Sequence, residues 1–241
     1  MGSILRMRIG SLAVTQAALL ASAVVPFSIV RGQGLTRTLD EGTFLISRNG
    51  TPIGRESFRI LQVPPSTGES YRATAQVSLG DRKIVPTLTC DSAGAPLSYD
   101  VTFQGGSEAG SRFQARGRPG RFSSMLRTRD GESTREYVVP AGVIVLDDEV
   151  IHQLYFVTMR ARRSGSVTIL APRTGVQAVA SLDNRGTSLV EIGGGTIQAT
   201  HYVLTAAGFP RREFWIDAAG HVLRASIPDR GILAQRDEPP R

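Results

Sequence analysis

Apolar and polar residues alternate with a period of two along most of this chain. Tyr71, Ala73, Ala75, Val77 and Leu79 share one face of an extended segment, and Arg72, Thr74, Gln76 and Ser78 share the other. Leu97, Tyr99, Val101 and Phe103 alternate in the same way with Ser98, Asp100, Thr102 and Gln104. This pattern predicts half-buried antiparallel strands. Residues 42–48 and 53–61 flank Asn49-Gly50, a hairpin signal because both turn positions tolerate positive φ. Asp130-Gly131 is a second such turn, leading into a strand at 132–139, and Gly193-Gly194-Gly195 is a third. Further strands are predicted at 83–90, 111–116, 121–128, 143–146, 166–170, 176–182, 187–192, 196–204, 211–217, 221–227 and 231–236. Turn signals spaced roughly 8–12 residues apart are those of an all-β sandwich or barrel.

One segment breaks the alternation. Asp147, Asp148 and Glu149 offer an N-cap and an acidic first turn, and Arg160, Arg162 and Arg163 offer a basic last turn. The spacing predicts a helix over 148–162. Val150, Ile151, Leu154, Tyr155, Val157 and Met159 leave it little polar surface. A helix this apolar must pack on the sheet or plug a barrel mouth. The expected fold is mainly β: an antiparallel β-barrel or half-barrel of about 13 strands with one packed α-helix. Residues 36–236 are expected to form a single β-rich domain, with 237–241 a disordered tail.

The start of the chain changes the picture of where such a domain works. Arg6 and Arg8 precede an uncharged run over residues 9–30. Ala21-Ser22-Ala23 has the small-x-small pattern of a signal-peptidase site, and Val30-Arg31-Gly32 is another. This is the layout of a secretory signal peptide over residues 1–32, cleaved after Ala23 or Gly32. The run is near the roughly 20 apolar residues of a membrane span. Ser11, Thr15, Gln16, Ser22 and Pro26 dilute it. The expected location is periplasmic or secreted, with no stable transmembrane segment after cleavage. Cys90 is the single cysteine, so no internal disulfide forms, and it reads as a small buried apolar residue. The net charge is +7, but the basic residues are scattered through the strands. Nucleic-acid binders concentrate such charge and interleave aromatics, so no nucleic-acid partner is expected.

Chemistry-bearing motifs are sparse. His152, His201 and His221 have no metal-ligand spacing, so neither a metal nor a cofactor is expected. No Gly-x-Ser-x-Gly elbow is present. The acids at Asp40-Glu41, Asp130-x-Glu132 and 147–149 sit where strand entries, turns or a helix cap account for them. The triple glycine precedes a strand, so no helix dipole points at an anion there.

Three segments carry a resemblance. They are Gly42-Thr43-Phe44 through Asn49-Gly50 and Ile53-Gly54-Arg55-Glu56-Ser57-Phe58; Leu146-Asp147-Asp148-Glu149 with His152-Gln153-Leu154-Tyr155-Phe156; and Phe214-Trp215-Ile216-Asp217-Ala218-Ala219-Gly220-His221-Val222-Leu223-Arg224. Together they resemble uncharacterised bacterial envelope families, domains of unknown function with a signal peptide and a strand-rich body. The third is also similar to strand pairs in LolA/LolB-type lipoprotein carriers, half-barrels lidded by helices. The resemblance implies a fold and carries no catalytic residue with it.

The expected function is therefore non-catalytic: binding or carrying an apolar ligand such as a lipid or acyl chain in the mouth of the barrel. Tyr155, Phe156, Met159, Phe214 and Trp215 are the expected lining, with Arg160 or Arg162 meeting an anionic headgroup. Two alternatives stay open. A tightly filled interior favours a structural or assembly factor of the envelope that binds another protein. A polar cleft with two close carboxylates favours a hydrolase with dispersed catalytic residues.

Overall fold

The alternating segments form Arg37–Arg48 (β1), Thr51–Gln62 (β2), Tyr71–Leu79 (β3), Arg82–Cys90 (β4), Pro96–Gln104 (β5), Arg112–Arg118 (β6), Arg121–Arg127 (β7), Glu132–Val138 (β8), Ile144–Val145 (β9), Ser166–Ala171 (β10), Val176–Ile192 (β11), Gly195–Ala206 (β12), Phe209–Ile216 (β13), Val222–Ile227 (β14) and Ile232–Arg236 (β15), with one α-helix, Leu154–Ala161 (α1). This is a computed structural model, and it describes residues 35–64, 68–161 and 165–241, and Gly2. The expected signal segment 1–32 lies outside the described residues. Among the described residues there are fifteen strands, where about 13 were expected, and one α-helix. Asn49 and Gly50 take φ of 49° and 80°, as the β1–β2 turn requires.

All the strands join one sheet, in the order β8-β7-β6-β5-β4-β3-β2-β1-β15-β14-β13-β12-β11-β10-β9. Neighbours are antiparallel except β9 and β10, which are parallel. The chain thus lays down one meander outward from β1, then returns until β15 seats against β1. The two end strands share no ladder. Side chains link β8 to the β10–β11 hairpin beside β9. The Tyr137 hydroxyl of β8 donates to the Pro172 carbonyl at 3.0 Å, and Gln177 Nε2 of β11 donates to the Val138 carbonyl at 2.8 Å. The fold is mainly β and barrel-like, and its seam is bridged by side chains.

The interior is filled by the chain itself. Leu146, Val150, Ile151, His152, Gln153, Leu154, Phe156 and Val157 are all buried. This segment meets side chains from three strands that lie far apart in the sheet: His152 meets Glu56 of β2, and Asp147 meets Tyr99 of β5 and Arg212 of β13. The helix is shorter than expected, starting at Leu154 and not at Asp148. The reason is that the acids at 147–149 do not cap it; Arg82 of β4 and Arg173 and Arg230 from the turns after β10 and β14 hold them. Residues 151–156 enter α1 through three i→i+3 bonds of 3.0–3.1 Å. The carboxylate at the helix entrance is Glu56 of β2, which accepts from the Ile151 and His152 amides at 2.7 and 2.8 Å.

A second, smaller apolar cluster lies apart from this core. The β11–β12 pairing shifts register between Asn184 and Thr187, and β12 pairs with β13 only from Thr200 onward. Residues 187–199 therefore leave the sheet as a free hairpin. Val190, Ile192 and Ala199 pack on Leu223 of β14, with Ile197 and Trp215 beside them. Gln235 of β15 donates to the Glu191 carbonyl at 3.2 Å, so the hairpin folds back over β14 and β15. Pro239 packs on Gly193 of the hairpin, and the Asp237 amide donates to the Thr43 carbonyl of β1 at 3.1 Å, so two points hold the segment 237–241. Trp215 is the sole tryptophan and reports on this cluster. Val190→Asp should peel the hairpin back, red-shift the Trp215 emission, and cost about 2–3 kcal/mol in a denaturant titration.

Candidate functional site

Charged residues occupy inward positions that the alternation reserves for apolar ones. Glu56 is in phase with Phe58 and Ile60, Arg212 with Phe214 and Ile216, Arg236 with Ala234, and Asp40 with Phe44 and Ile46. All four are buried. Each has a partner. Glu56 takes the two plug amides and the His152 Nδ1 at 2.6 Å. Arg236 pairs with Asp40 and lies over the Phe44 and Phe58 rings at 5.9 and 5.2 Å. Gly42, inward between Asp40 and Phe44, leaves room for that guanidinium: a Cβ there would stand 3.2 Å from Arg236 Nη2.

The densest cluster surrounds the loop at 147–149. Asp147 accepts from the Tyr99 hydroxyl at 2.6 Å and from Arg173 at 2.5 Å. Glu149 pairs with Arg82 and, at 3.1 Å, with Arg173. Asp148 pairs with Arg212 at 3.4 Å and Arg230 at 3.1 Å. Arg82 also holds Glu108 at 2.7 Å. Burial pushes the Asp147 carboxyl up, but the bonds and charge of Arg173 outweigh it and leave the group below its ordinary range. Burial pulls the Arg212 guanidinium down to about 10, against the opposing pull of Asp148 and Asp147. Burial, followed by the Asp147 charge, drives the Tyr99 hydroxyl well above its usual value.

Two clefts meet at Asp148, Glu149 and Arg230. One is an apolar slot of about 80 Å³ walled by Ile46, Ile53, Leu79, Ile151, Ile227 and Ile232, with Arg48 at its rim. The other holds about 300 Å³ and is lined by Phe103, Phe113, Leu126, Thr174, Glu108 and Arg173 as well. An amphipathic surface thus wraps the loop that closes the interior. Among the described residues no group of three His, Cys, Asp or Glu is placed to hold a metal. No helix among them is long and apolar enough to cross a membrane.

The residues expected from sequence divide between two places. Phe156 is buried in the main core, 5.7 Å from the Tyr155 ring and 6.4 Å from Tyr71, and Met159 packs beside that core. Phe214 stacks on Tyr202 in the same core. Trp215 does not join them. It belongs to the outer cluster, where it stacks on His201 at 4.3 Å and 4°. Adjacent residues in a strand face opposite ways, so Phe214 and Trp215 cannot line one cavity. Arg162 and the side chain of Arg160 lie outside the described residues. Cys90 is buried, as expected. His221 is partly covered and bonded to Asp217 at 2.8 Å. Sequence reasoning passed over Glu56, Arg82, Tyr99, Arg173, Arg212 and Arg230. For Glu56 and Arg212 the signal was available, as a charge in phase with an apolar face.

No protein-family model and no curated protein matches the chain. Among solved structures it is similar to the crystal structure of a beta-barrel-like protein of the domain of unknown function DUF1849 from Brucella abortus. The identity is 10%, the match covers 84% of this chain and 95% of that chain, and the TM-score is 0.47.

Glu56→Ala should strip three buried donors of their acceptor and destabilise the protein by at least about 3 kcal/mol in a urea titration. His221 should set part of the pH dependence. Its bond to Asp217 raises its pKa, against burial. A raised folded-state value means that its stabilisation is whole below about pH 6.5 and fades as pH rises through that higher value. Burial raises the Asp217 carboxyl, but His221 outweighs it and leaves it lowered, so its share fades only in acid. His221→Gln should flatten the fall in urea midpoint above about pH 6.5, and an unchanged slope would assign that fall to other groups.

Proposed function

We propose that this protein is a non-catalytic envelope protein, periplasmic or secreted, that binds or carries an apolar or amphipathic ligand such as a lipid or acyl chain. The observation that supports this reading is the apolar slot that runs beneath the 147–149 loop, beside the buried core. Ligand pockets occupy about 300–1,000 Å³, and the slot holds about 80 Å³, so the plug at 146–161 must shift to admit a ligand. In that role α1 is a lid, and Tyr155, Phe156 and Met159 are the apolar surface it would present. The reading parallels that of the LolA/LolB-type carriers. Each carboxylate of the loop is occupied by an arginine, an arrangement suited to closing a mouth and not to proton transfer.

The filled interior favours a second reading, an envelope assembly factor that binds another protein. The open edge of β8 suits it, since residues 132–136 are exposed and, among the described residues, that strand pairs only with β7. Native mass spectrometry of protein purified mildly from its own envelope, followed by solvent extraction, tests the two. A stoichiometric apolar molecule is the expected result. A bare mass from folded material, with a copurifying protein that is lost on Thr134→Pro, would replace the carrier reading with the second.

A further inference from the structure

The cluster at the mouth holds arginines in a form that an external anion would also satisfy. Asp148 and Glu149 together engage Arg82, Arg173, Arg212 and Arg230. These two acids also line both clefts, so they are the part of the plug nearest the openings. Asp147 is held differently: it is nearly fully buried and fixed by Tyr99 and Arg173. Arg212 is buried to 1% exposure, and its Nε and Nη1 make no hydrogen bond. A cation so placed has bonding capacity that the loop carboxylates do not use.

We propose that Asp148 and Glu149 are internal stand-ins for a phosphate-class headgroup, and that the ligand of this mouth is an anionic amphiphile. This rests on the carrier reading and names its ligand class. Guanidinium groups match phosphate oxygens in paired, planar contacts. When the two acids swing out, Arg212, Arg230 and Arg82 turn to the headgroup, and Asp147 still neutralises Arg173. The arginines exchange one set of anionic oxygens for another, so their charge stays compensated throughout. The slot walled by isoleucines lies beside Arg230, where the alkyl chain attached to that headgroup would run. Arg48 at the slot rim adds a further cation outside the cluster.

The test compares octyl phosphate, octyl glucoside and inorganic phosphate by calorimetry on the full chain. Wild-type protein should bind octyl phosphate, and D148N/E149Q should bind it about tenfold tighter, because the competing occupant is weakened. The glucoside affinity should not change. Arg230→Gln, on a half-exposed side chain that pairs with Asp148, should weaken octyl phosphate alone and checks the point from the arginine side of the pair. An equal gain for the glucoside would overturn the anion assignment and leave the carrier reading standing. Inorganic phosphate binding as tightly as octyl phosphate would keep the anion site and overturn the carrier reading. Absence of binding by both amphiphiles in every variant would overturn both.

Discussion

Everything inside the barrel depends on one carboxylate. A segment that passes through a protein interior brings peptide groups away from water, and each must find a partner there. Glu56 supplies it for the turn that leads into α1, accepting two backbone amides and a ring nitrogen. Bonds to a charged acceptor contribute about 1.5–3 kcal/mol each. Burying a leucine side chain contributes about as much. Three such bonds from one side chain therefore outweigh any single apolar contact that the plug makes. The His152 ring then stacks on Phe58 at 5.8 Å, and Phe58 on Phe44 at 5.2 Å. Arg236 lies over both phenylalanines and reaches Asp40. A column of rings and charges thus links the plug to the last strand.

The buried charges also discriminate between registers. In a strand, a slip of one residue exchanges its two faces. Slipping β2 would carry Glu56 to the surface and leave the plug amides without an acceptor. Slipping β13 would expose Phe214 and pull Arg212 away from the Asp147 carbonyl, to which it donates at 2.9 Å. A slip of two residues keeps the same face inward, and in an all-apolar interior it would replace one branched side chain with another at modest cost, whereas here it moves Glu56 and Arg212 off their partners. Buried ion pairs add little net stability over apolar isosteres. Their role in this fold is better described as selecting one arrangement from several of similar apolar burial.

Most of the sheet was legible because period-two alternation is a local signal. Residues 71–79 and 97–103 carry it cleanly, and Asn49-Gly50 names its own turn. The helix start was not legible. Asp147, Asp148 and Glu149 look like a cap, and only the tertiary arrival of Arg82, Arg173, Arg212 and Arg230 diverts them. The true entrance acceptor, Glu56, is 95 residues earlier than Ile151, beyond the reach of any capping rule. The division of Phe214 from Trp215 follows from strand geometry and was available in the sequence. The hairpin at 187–199 was not, since two separate strands and one bent long strand share the same pattern. Its bend at Asn184–Thr187 depends on the outer surface of β14 being there to receive it.

The strand order has a kinetic consequence. The pair β1–β15 joins the earliest and latest strands in the middle of the sheet, and Asp40 and Arg236 are 196 residues apart. Both meanders are built from neighbours in sequence and can zip as they emerge. The middle of the sheet closes only when the final strand arrives. Until then β1 offers a bare edge, carrying Leu45 and Ile46, to any strand nearby. Folding that waits on so distant a contact is slow. During that interval the chain has most of its secondary structure and one open strand edge at its centre, the state in which pairing with another chain competes most strongly with folding.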